Sequence, residues 1–551
     1  MAWHVDLDYG SYEAAREGFE WDLPDDYNLV HDLLRKHEDT DATALYRHRA
    51  DGATETYSFA ELDRLSDRVA NALAERGVER GDRVGVVLSQ TVENPLTHLA
   101  CWKLGAVSLP LSVLFGPDGL ESRLDDSGAV AVVASTEVRE AVAEAATACP
   151  ALAHHIEVGE DAGDGDSESF GALLDAPAEF DRCETTPDTP AIIMYTSGST
   201  GPPKGVLHGH GVWAGHCPAF NMYFELDTEG VFWTPADWAW IGALGDLLFP
   251  AWHYGQPVVG YPMGSFDAEE AYEIMETYDV TNTFLPPTAI RMLMEGEPNA
   301  WDLSLAAICS GGEPLTPEIL DWADEELGGV PVNELYGQTE ANLLVSNCHE
   351  WFPAQAGSMG KPVPGHEVAP IDPATGERKP DGEVGHLAVK RADDPVMFHE
   401  YWNQPAKTAD APVDAPDGGT WHLTGDLGSR DADGYVWFKA RDDDVIITSG
   451  YRVGPGEVES AVLKHPDVEQ AGVVGVDDDL RGEVIKAFVE PVAKRRDPEA
   501  LREEIRDIVR DDLAKHEYPR EIEFVDRLPQ TTTQKIQRRK LRERDGTGAG
   551  E

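Results

Sequence analysis

Residues 195–205 read Tyr-Thr-Ser-Gly-Ser-Thr-Gly-Pro-Pro-Lys-Gly. The glycines leave backbone N–H groups uncovered. The hydroxyls of Thr196, Ser197, Ser199 and Thr200 and the ammonium of Lys204 can converge on one point. A polyphosphate needs such a surface, because its oxygens only accept hydrogen bonds and its charge must be neutralised. The P-loop pattern would be Gly-x-x-x-x-Gly-Lys-Ser/Thr. Here Gly205 follows Lys204, and Pro202 and Pro203 stiffen the loop. A flexible Gly/Ser/Thr linker is the competing reading. The apolar, strand-like run at residues 191–194 and the two prolines favour an ordered cradle, and so a nucleotide enzyme.

Further polar sets follow in order: Ser310-Gly-Gly-Glu-Pro, Asn333-Glu-Leu-Tyr-Gly-Gln-Thr-Glu, Thr424-Gly-Asp, a run from Lys439 to Glu459, and Leu528-Pro-Gln-Thr-Thr-Thr-Gln-Lys-Ile-Gln-Arg. Each alone could be a turn or a solvated loop. Together, and in this order, they resemble the motifs of enzymes that adenylate carboxylates. A carboxylate is a poor electrophile, and adenylation gives it a leaving group. The resemblance implies a site that cradles phosphates, holds a hard cation, binds adenosine and places a positive charge at the α-phosphate.

In this order the motifs resemble those of the adenylate-forming superfamily, which includes acyl-CoA synthetases, firefly luciferase and peptide-synthetase adenylation domains. The resemblance runs from about residue 40 to residue 545 and is nearest to the acetyl- and medium-chain acyl-CoA synthetases. It implies that Thr196, Ser197, Gly198, Ser199, Thr200, Gly201 and Lys204 bind the ATP phosphates. Gly312, Glu313 and Pro314 would line the adenine pocket, with Tyr336, Gly337 and Gln338 alongside. Thr339 would contact the α-phosphate and Glu340 would ligate Mg2+. Asp426 and Arg441 would hold the ribose, and Arg452 would lie near the phosphates. Asp443 falls at the family's hinge. Gly450 and Tyr451 fall on its CoA-binding stretch, and Lys535 on its catalytic lysine. Gln534 departs from the pattern, which has glycine before that lysine. Residues of the basic run from Lys535 to Arg544 are either a solvated helix end or contacts to CoA phosphates.

Acetate-specific members carry a tryptophan where this chain has Gly337 and a valine where it has Gly311. Loss of both walls predicts an open acyl pocket, with Trp240, Ile241 and Gly242 as the remaining wall. Each added CH₂ would then contribute about 0.8 kcal/mol. The implied activity is ATP-dependent ligation of a medium-chain, branched or aromatic carboxylate to coenzyme A through acyl-AMP. The alternatives are an acetate or propionate ligase, an enzyme loading a separate carrier protein, and a non-catalytic nucleotide-binding regulator.

The elements that must position these residues can be read from periodicity. Residues 58–73 show helical spacing, with Ser58 as cap and Glu61 three residues on. Apolar runs at residues 83–88, 130–134, 191–194, 257–260, 282–285 and 306–309 read as strands between helices, hence parallel sheets. Residues 1–45 read as a helical lead-in, and two α/β regions are expected at about 57–190 and 206–350. Strand-and-turn patterns dominate 351–440. The expected fold is α/β, with a large N-terminal domain of two α/β subdomains and a small β-rich one (1–441). A mobile α+β C-terminal domain (442–545) follows, then a disordered tail (546–551).

The chain has 551 residues, 102 acidic against 44 basic, for a net charge of −58. That charge opposes nucleic-acid binding. A hydrophobic fraction of 41% and 14 tryptophans exclude a disordered acidic protein. Acidic residues spread along the whole chain resemble the proteins of salt-accumulating extreme halophiles, in which salt screens the repulsion. Six scattered cysteines without a Cys-x-x-Cys pair read as free thiols. The N-terminus is not that of a secretory signal and no run is long enough to span a membrane, so a cytoplasmic enzyme is expected. Oligomeric state stays open.

Overall fold

The structure, a computed structural model, describes residues 3–165, 167–196, 203–312, 315–391, 394–410, 412–442, 444–448, 451–478, 482–492, 498–513, 518–530 and 536–545. The chain divides into two units. One comprises Met1–Val368, Val389–His422 and Gly434–Val436; the other comprises Ala369–Ala388, Leu423–Asp433 and Trp437–Glu551.

Two sheets organise the first unit. One runs in the order 400–401, 204–209, 190–196, 107–110, 83–87, 131–135, 154–158, 168–169. Its strands Val107–Pro110, Arg83–Val87, Ala131–Ser135 and His154–Val158 are parallel neighbours. Val84, Val86, Val132 and Val133 are all buried, because helices cover both faces and no polar side can alternate in. The other sheet runs 361–362, 342–346, 332–338, 307–311, 282–284, 232–233, 258–260, 43–48, 54–58. The helix Phe59–Glu75 begins where its sequence predicts: Glu61 N–H donates to Ser58 Oγ at 3.2 Å, and Ser58 N–H donates to Glu61 Oε2 at 2.9 Å. Such a cap contributes about 1 kcal/mol.

The expected division into regions 57–190 and 206–350 is corrected by strand exchange. Thr43–His48 joins the later sheet through Val258–Gly260, and Lys204–Gly209 joins the earlier one beside Pro190–Thr196. Strand partners are chosen by long-range burial, which local periodicity does not encode. The first 45 residues are less helical than expected, with the helix Tyr12–Gly18 and one turn at His31–Arg35. The rest is anchored by contacts such as Trp21 Nε1–H to Gly365 O at 3.0 Å.

In the second unit the antiparallel pair Val468–Asp478 and Gly482–Pro491 is flanked by Ile446–Thr448, Tyr451–Val453 and Glu521–Phe524. Val473, Ile485 and Val489 pack with Leu501, Ile505 and Val509 of the helix Pro498–Asp512, whose i, i+4 spacing makes one apolar stripe. Val474 and Phe488 face the other way, onto Leu528 and Leu541. All six cysteines are free. Among the described residues, no helix is long and apolar enough to cross a membrane.

Candidate active site

The phosphate loop joins two antiparallel strands, Pro190–Thr196 and Lys204–Gly209, whose last register pair is Thr196 with Lys204. The strands therefore bring both ends of the loop together. Ser197, Gly198, Ser199, Thr200 and Gly201 lie outside the described residues.

A second hairpin carries the next motif. Val332–Gln338 pairs with Asn342–Ser346, and Thr339, Glu340 and Ala341 form the turn, closed by Ala341 N–H to Gln338 O at 3.0 Å. Asn342 takes the left-handed conformation (φ 59°), which asparagine tolerates better than most residues.

The two hairpins are tied by His208. Its Nε2 lies 2.7 Å from Thr339 O. Burial pushes the His208 imidazole down to about 3, so the ring is neutral. Because a carbonyl only accepts, Nε2 carries the proton. His208 shares a strand face with Lys204, four residues earlier, so one strand presents the loop lysine and holds the Thr339 turn.

The short strand Glu400–Tyr401 adds to the same edge, with Tyr401 opposite Val206. From there Tyr401 OH donates to Glu340 Oε1 at 2.9 Å, while Phe398 N–H donates to Glu340 O at 3.0 Å. Burial, then the Glu340 carboxylate, pushes the Tyr401 phenol well up, so it remains a donor. Lys204 Nζ lies 6.0 Å from the centre of the Tyr401 ring and Lys407 Nζ lies 5.2 Å from it. Burial, then Lys204, lowers Lys407 to about 8. His208, Tyr401 and Lys407 were not among the residues expected from sequence. His208 was open to discovery through its alternation with Lys204, whereas Tyr401 and Lys407 carry no local signal.

Ser310 and Gly311 end the strand Ala307–Gly311, and Gly312 follows at φ 91°. Glu313 and Pro314 lie outside the described residues. Glu334 supports the segment after them: its Oε2 accepts from Leu315 N–H at 3.1 Å, and burial raises its carboxyl to about 8. Tyr336 and Gln338 lie on the same strand face as Glu334, and both are partly buried.

Trp240, Ile241 and Gly242 are partly exposed, whereas neighbouring Trp238 is fully buried. Trp240 meets Phe115 edge-on with ring centres 5.8 Å apart. The expectation that Gly311 and Gly337 leave open volume is corrected. A Cβ on Gly311 would lie 2.5 Å from Leu335 Cδ1, so Leu335 already fills that space. A Cβ on Gly337 would lie 2.1 Å from Asn342 O and 2.9 Å from Leu343 Cα. Gly337 is thus demanded by backbone approach at the hairpin's bulge, between Tyr336 and Gly337.

In the second unit, Asp426 is buried and Arg441 Nη1 reaches its Oδ1 at 3.1 Å. Gly425, at φ 79° inside the strand Thr420–Arg430, separates Thr424 from Asp426, and Asp442 N–H donates to Gly425 O at 2.9 Å. Asp443, Gly450 and Lys535 lie outside the described residues. Tyr451 and Arg452 belong to the strand Tyr451–Val453, with Arg452 opposite Ile447. Lys535 precedes Ile536, which bridges to Gln530 and so fixes both flanks of the segment. The basic run pairs with carboxylates: Arg538 with Glu459 and Asp444, Arg542 with Asp444, Arg539 with Glu543 and Arg544 with Glu523.

Comparison with known proteins gives the family. Residues 34–402 match the AMP-binding enzyme family and residues 457–535 match the AMP-binding enzyme C-terminal domain. Acyl-coenzyme A synthetase ACSM4, mitochondrial, of Mus musculus is 36% identical over 539 residues, covering 95% of this chain and 91% of its own. Acetyl-coenzyme A synthetase of Bacillus subtilis (strain 168) is 35% identical over 558 residues, covering 97% and 94%. The crystal structure of the anthranilate CoA ligase AuaEII in complex with anthranoyl-AMP superposes with a TM-score of 0.84 at 28% identity, over 96% of this chain and 99% of that one. The chain belongs to the AMP-binding enzyme family, among its acyl-CoA synthetases.

Proposed function

We propose that this protein is an ATP-dependent carboxylic acid–CoA ligase. It forms acyl-AMP with release of pyrophosphate and then passes the acyl group to the thiol of CoA. One observation carries this reading: the strand that begins at Lys204 holds the Thr339–Glu340 turn through His208, within a chain matched along most of its length by acyl-CoA synthetases. Lys204 and the loop before it would bind the phosphates, and Thr339 the α-phosphate. Asp426 with Arg441 would take the ribose hydroxyls, since a carboxylate can accept from both members of a diol. Lys535 would place its charge between the acid and the α-phosphate.

The residues present fit a magnesium ion. Mg2+ is commonly held by one or two carboxylates together with substrate phosphates and water. Glu340 supplies a hard oxygen donor held in place by Tyr401. When bound, Mg2+ neutralises phosphate charge, and Glu340 is the residue that would hold it.

For the acid we infer a medium-chain, branched or aromatic carboxylate, supported by the likeness to an anthranilate CoA ligase. A small acid is the second reading, favoured by the Leu335 side chain that fills the space beside Gly311. We also infer a salt-dependent enzyme acting in a cytoplasm-like compartment, supported by the net charge of −58. ATP–pyrophosphate exchange over a panel of acids, in low and high salt, tests the first half-reaction. Thioester formation on adding free CoA tests the second. Exchange without thioester would replace the ligase reading by transfer to another acceptor.

A further inference from the structure

We propose that Lys407 is a second phosphate-binding cation, acting with Lys204 on the β- and γ-phosphates of ATP and on the pyrophosphate released from it. The proposal rests on the ligase reading above and adds a residue outside all of the sequence motifs.

Lys407 lies on the short helix Pro405–Asp410, directly after the strand that carries Tyr401. A lysine there could extend into water. Instead its Nζ folds back to 5.2 Å from the Tyr401 ring centre, and Lys204 Nζ lies 6.0 Å from the same ring. The two ammonium groups are close enough to repel, and Lys204 helps to push Lys407 down. Like charges repel more strongly in a partly buried place than in bulk water.

Among the described residues, neither ammonium is paired with a carboxylate. Glu340 acts on Lys407 through space, but its Oε1 takes the Tyr401 hydroxyl. Two half-buried cations held against one ring, on the strand that leaves the phosphate loop and the helix beside it, make a site that a dense anion would relieve.

The charged and titratable groups facing Lys407 are Lys204 from its strand, Tyr401 from the next and Glu340 from the turn, with Arg391 acting on Tyr401. Burial and Lys204 lower Lys407 to about 8. A bound polyphosphate restores its proton. ATP binding at pH 8.5 is therefore expected to take up roughly half a proton or more.

The test uses the full-length protein with Lys407→Met and Lys407→Arg. ATP, pyrophosphate and AMP binding are measured by calorimetry at pH 8.5 in buffers of different ionisation enthalpy. The expected result is about tenfold weaker ATP and pyrophosphate binding in Lys407→Met. AMP affinity should be unchanged, proton uptake lost, and both affinities recovered in Lys407→Arg. Unchanged ATP and pyrophosphate binding in Lys407→Met overturns the proposal. So does an equal loss for AMP, which lacks the outer phosphates and would report a change in fold. If the wild-type protein binds neither ATP nor pyrophosphate, the ligase reading itself falls and this inference falls with it.

Discussion

Arg538 and Asp444 meet at 3.1 Å, and the same guanidinium holds Glu459 with its Nε and Nη2. The three residues join the chain just after Lys535, the segment just after Asp443, and the helix Pro455–Leu463. Their carboxylates hold the Arg538 guanidinium firmly charged against the opposing cost of burial. Arg538→Met leaves Glu459 without its cation and Asp444 with Arg542 alone. Loss of about 1–3 kcal/mol is expected, below the 3–5 kcal/mol of a fully buried pair because Arg538 keeps some solvent contact. Urea unfolding at fixed salt measures it, and adding Glu459→Gln should restore part of the loss.

Lys535→Ala should lower ATP–pyrophosphate exchange by about 10²–10³. Thioester formation from supplied acyl-AMP should be spared. Exchange at the wild-type rate would remove Lys535 from the adenylation step.

The hydrogen bond from Tyr401 to Glu340 gives a sharper test of the magnesium assignment. Tyr401→Phe keeps the ring and removes the donor. Half-maximal activation should then require about tenfold more Mg2+, with the maximal rate largely recovered at saturation. A drop in maximal rate with unchanged Mg2+ dependence would instead place Glu340's role elsewhere.

Burial raises Glu334 to about 8, far above an ordinary glutamate. The folded state therefore holds a proton that the unfolded state releases near pH 4.5. Stability from this group is complete below the unfolded value and is lost as pH rises toward 8. Glu334→Gln keeps an acceptor for Leu315 N–H and cannot ionise. Between pH 5 and 8.5 the variant should lose less stability than the wild type, which paired denaturant titrations would show.

Self-repulsion at a net charge of −58 should make the fold sensitive to ionic strength. In about 2 M KCl the Debye length falls to a few Å. The thermal midpoint should rise by on the order of 10 °C or more over dilute buffer. Equal midpoints would remove the salt-dependence reading.

Local signals were the legible ones. Ser58 and Glu61 announce a helix start because a capping box is complete within four residues. The strand before the phosphate loop is legible because its side chains are buried on both faces. The motif order singles out Thr196, Lys204, Thr339, Glu340 and Asp426 as candidates, and of these the strands pair Thr196 with Lys204. What failed to read out depends on partners distant in sequence. Gly337 looks like a missing wall until the hairpin places Asn342 O where its side chain would go. Tyr401 and Lys407 sit in a stretch without pattern. They matter only because Glu400–Tyr401 pairs with a strand nearly two hundred residues earlier.

The pairing of Leu45 with Val258 has a consequence for biosynthesis. When residues 43–58 leave the ribosome, their hairpin has no neighbour, and a lone hairpin is marginal in water. At about 5–20 residues per second, the partner strand arrives roughly 10–40 s later. Until then the early strand's open edge invites wrong partners, so the sheet is completed late rather than grown in order. A nascent chain stalled before residue 258 should remain protease-sensitive across residues 43–58, however well the strands around Arg83–Val87 have already assembled.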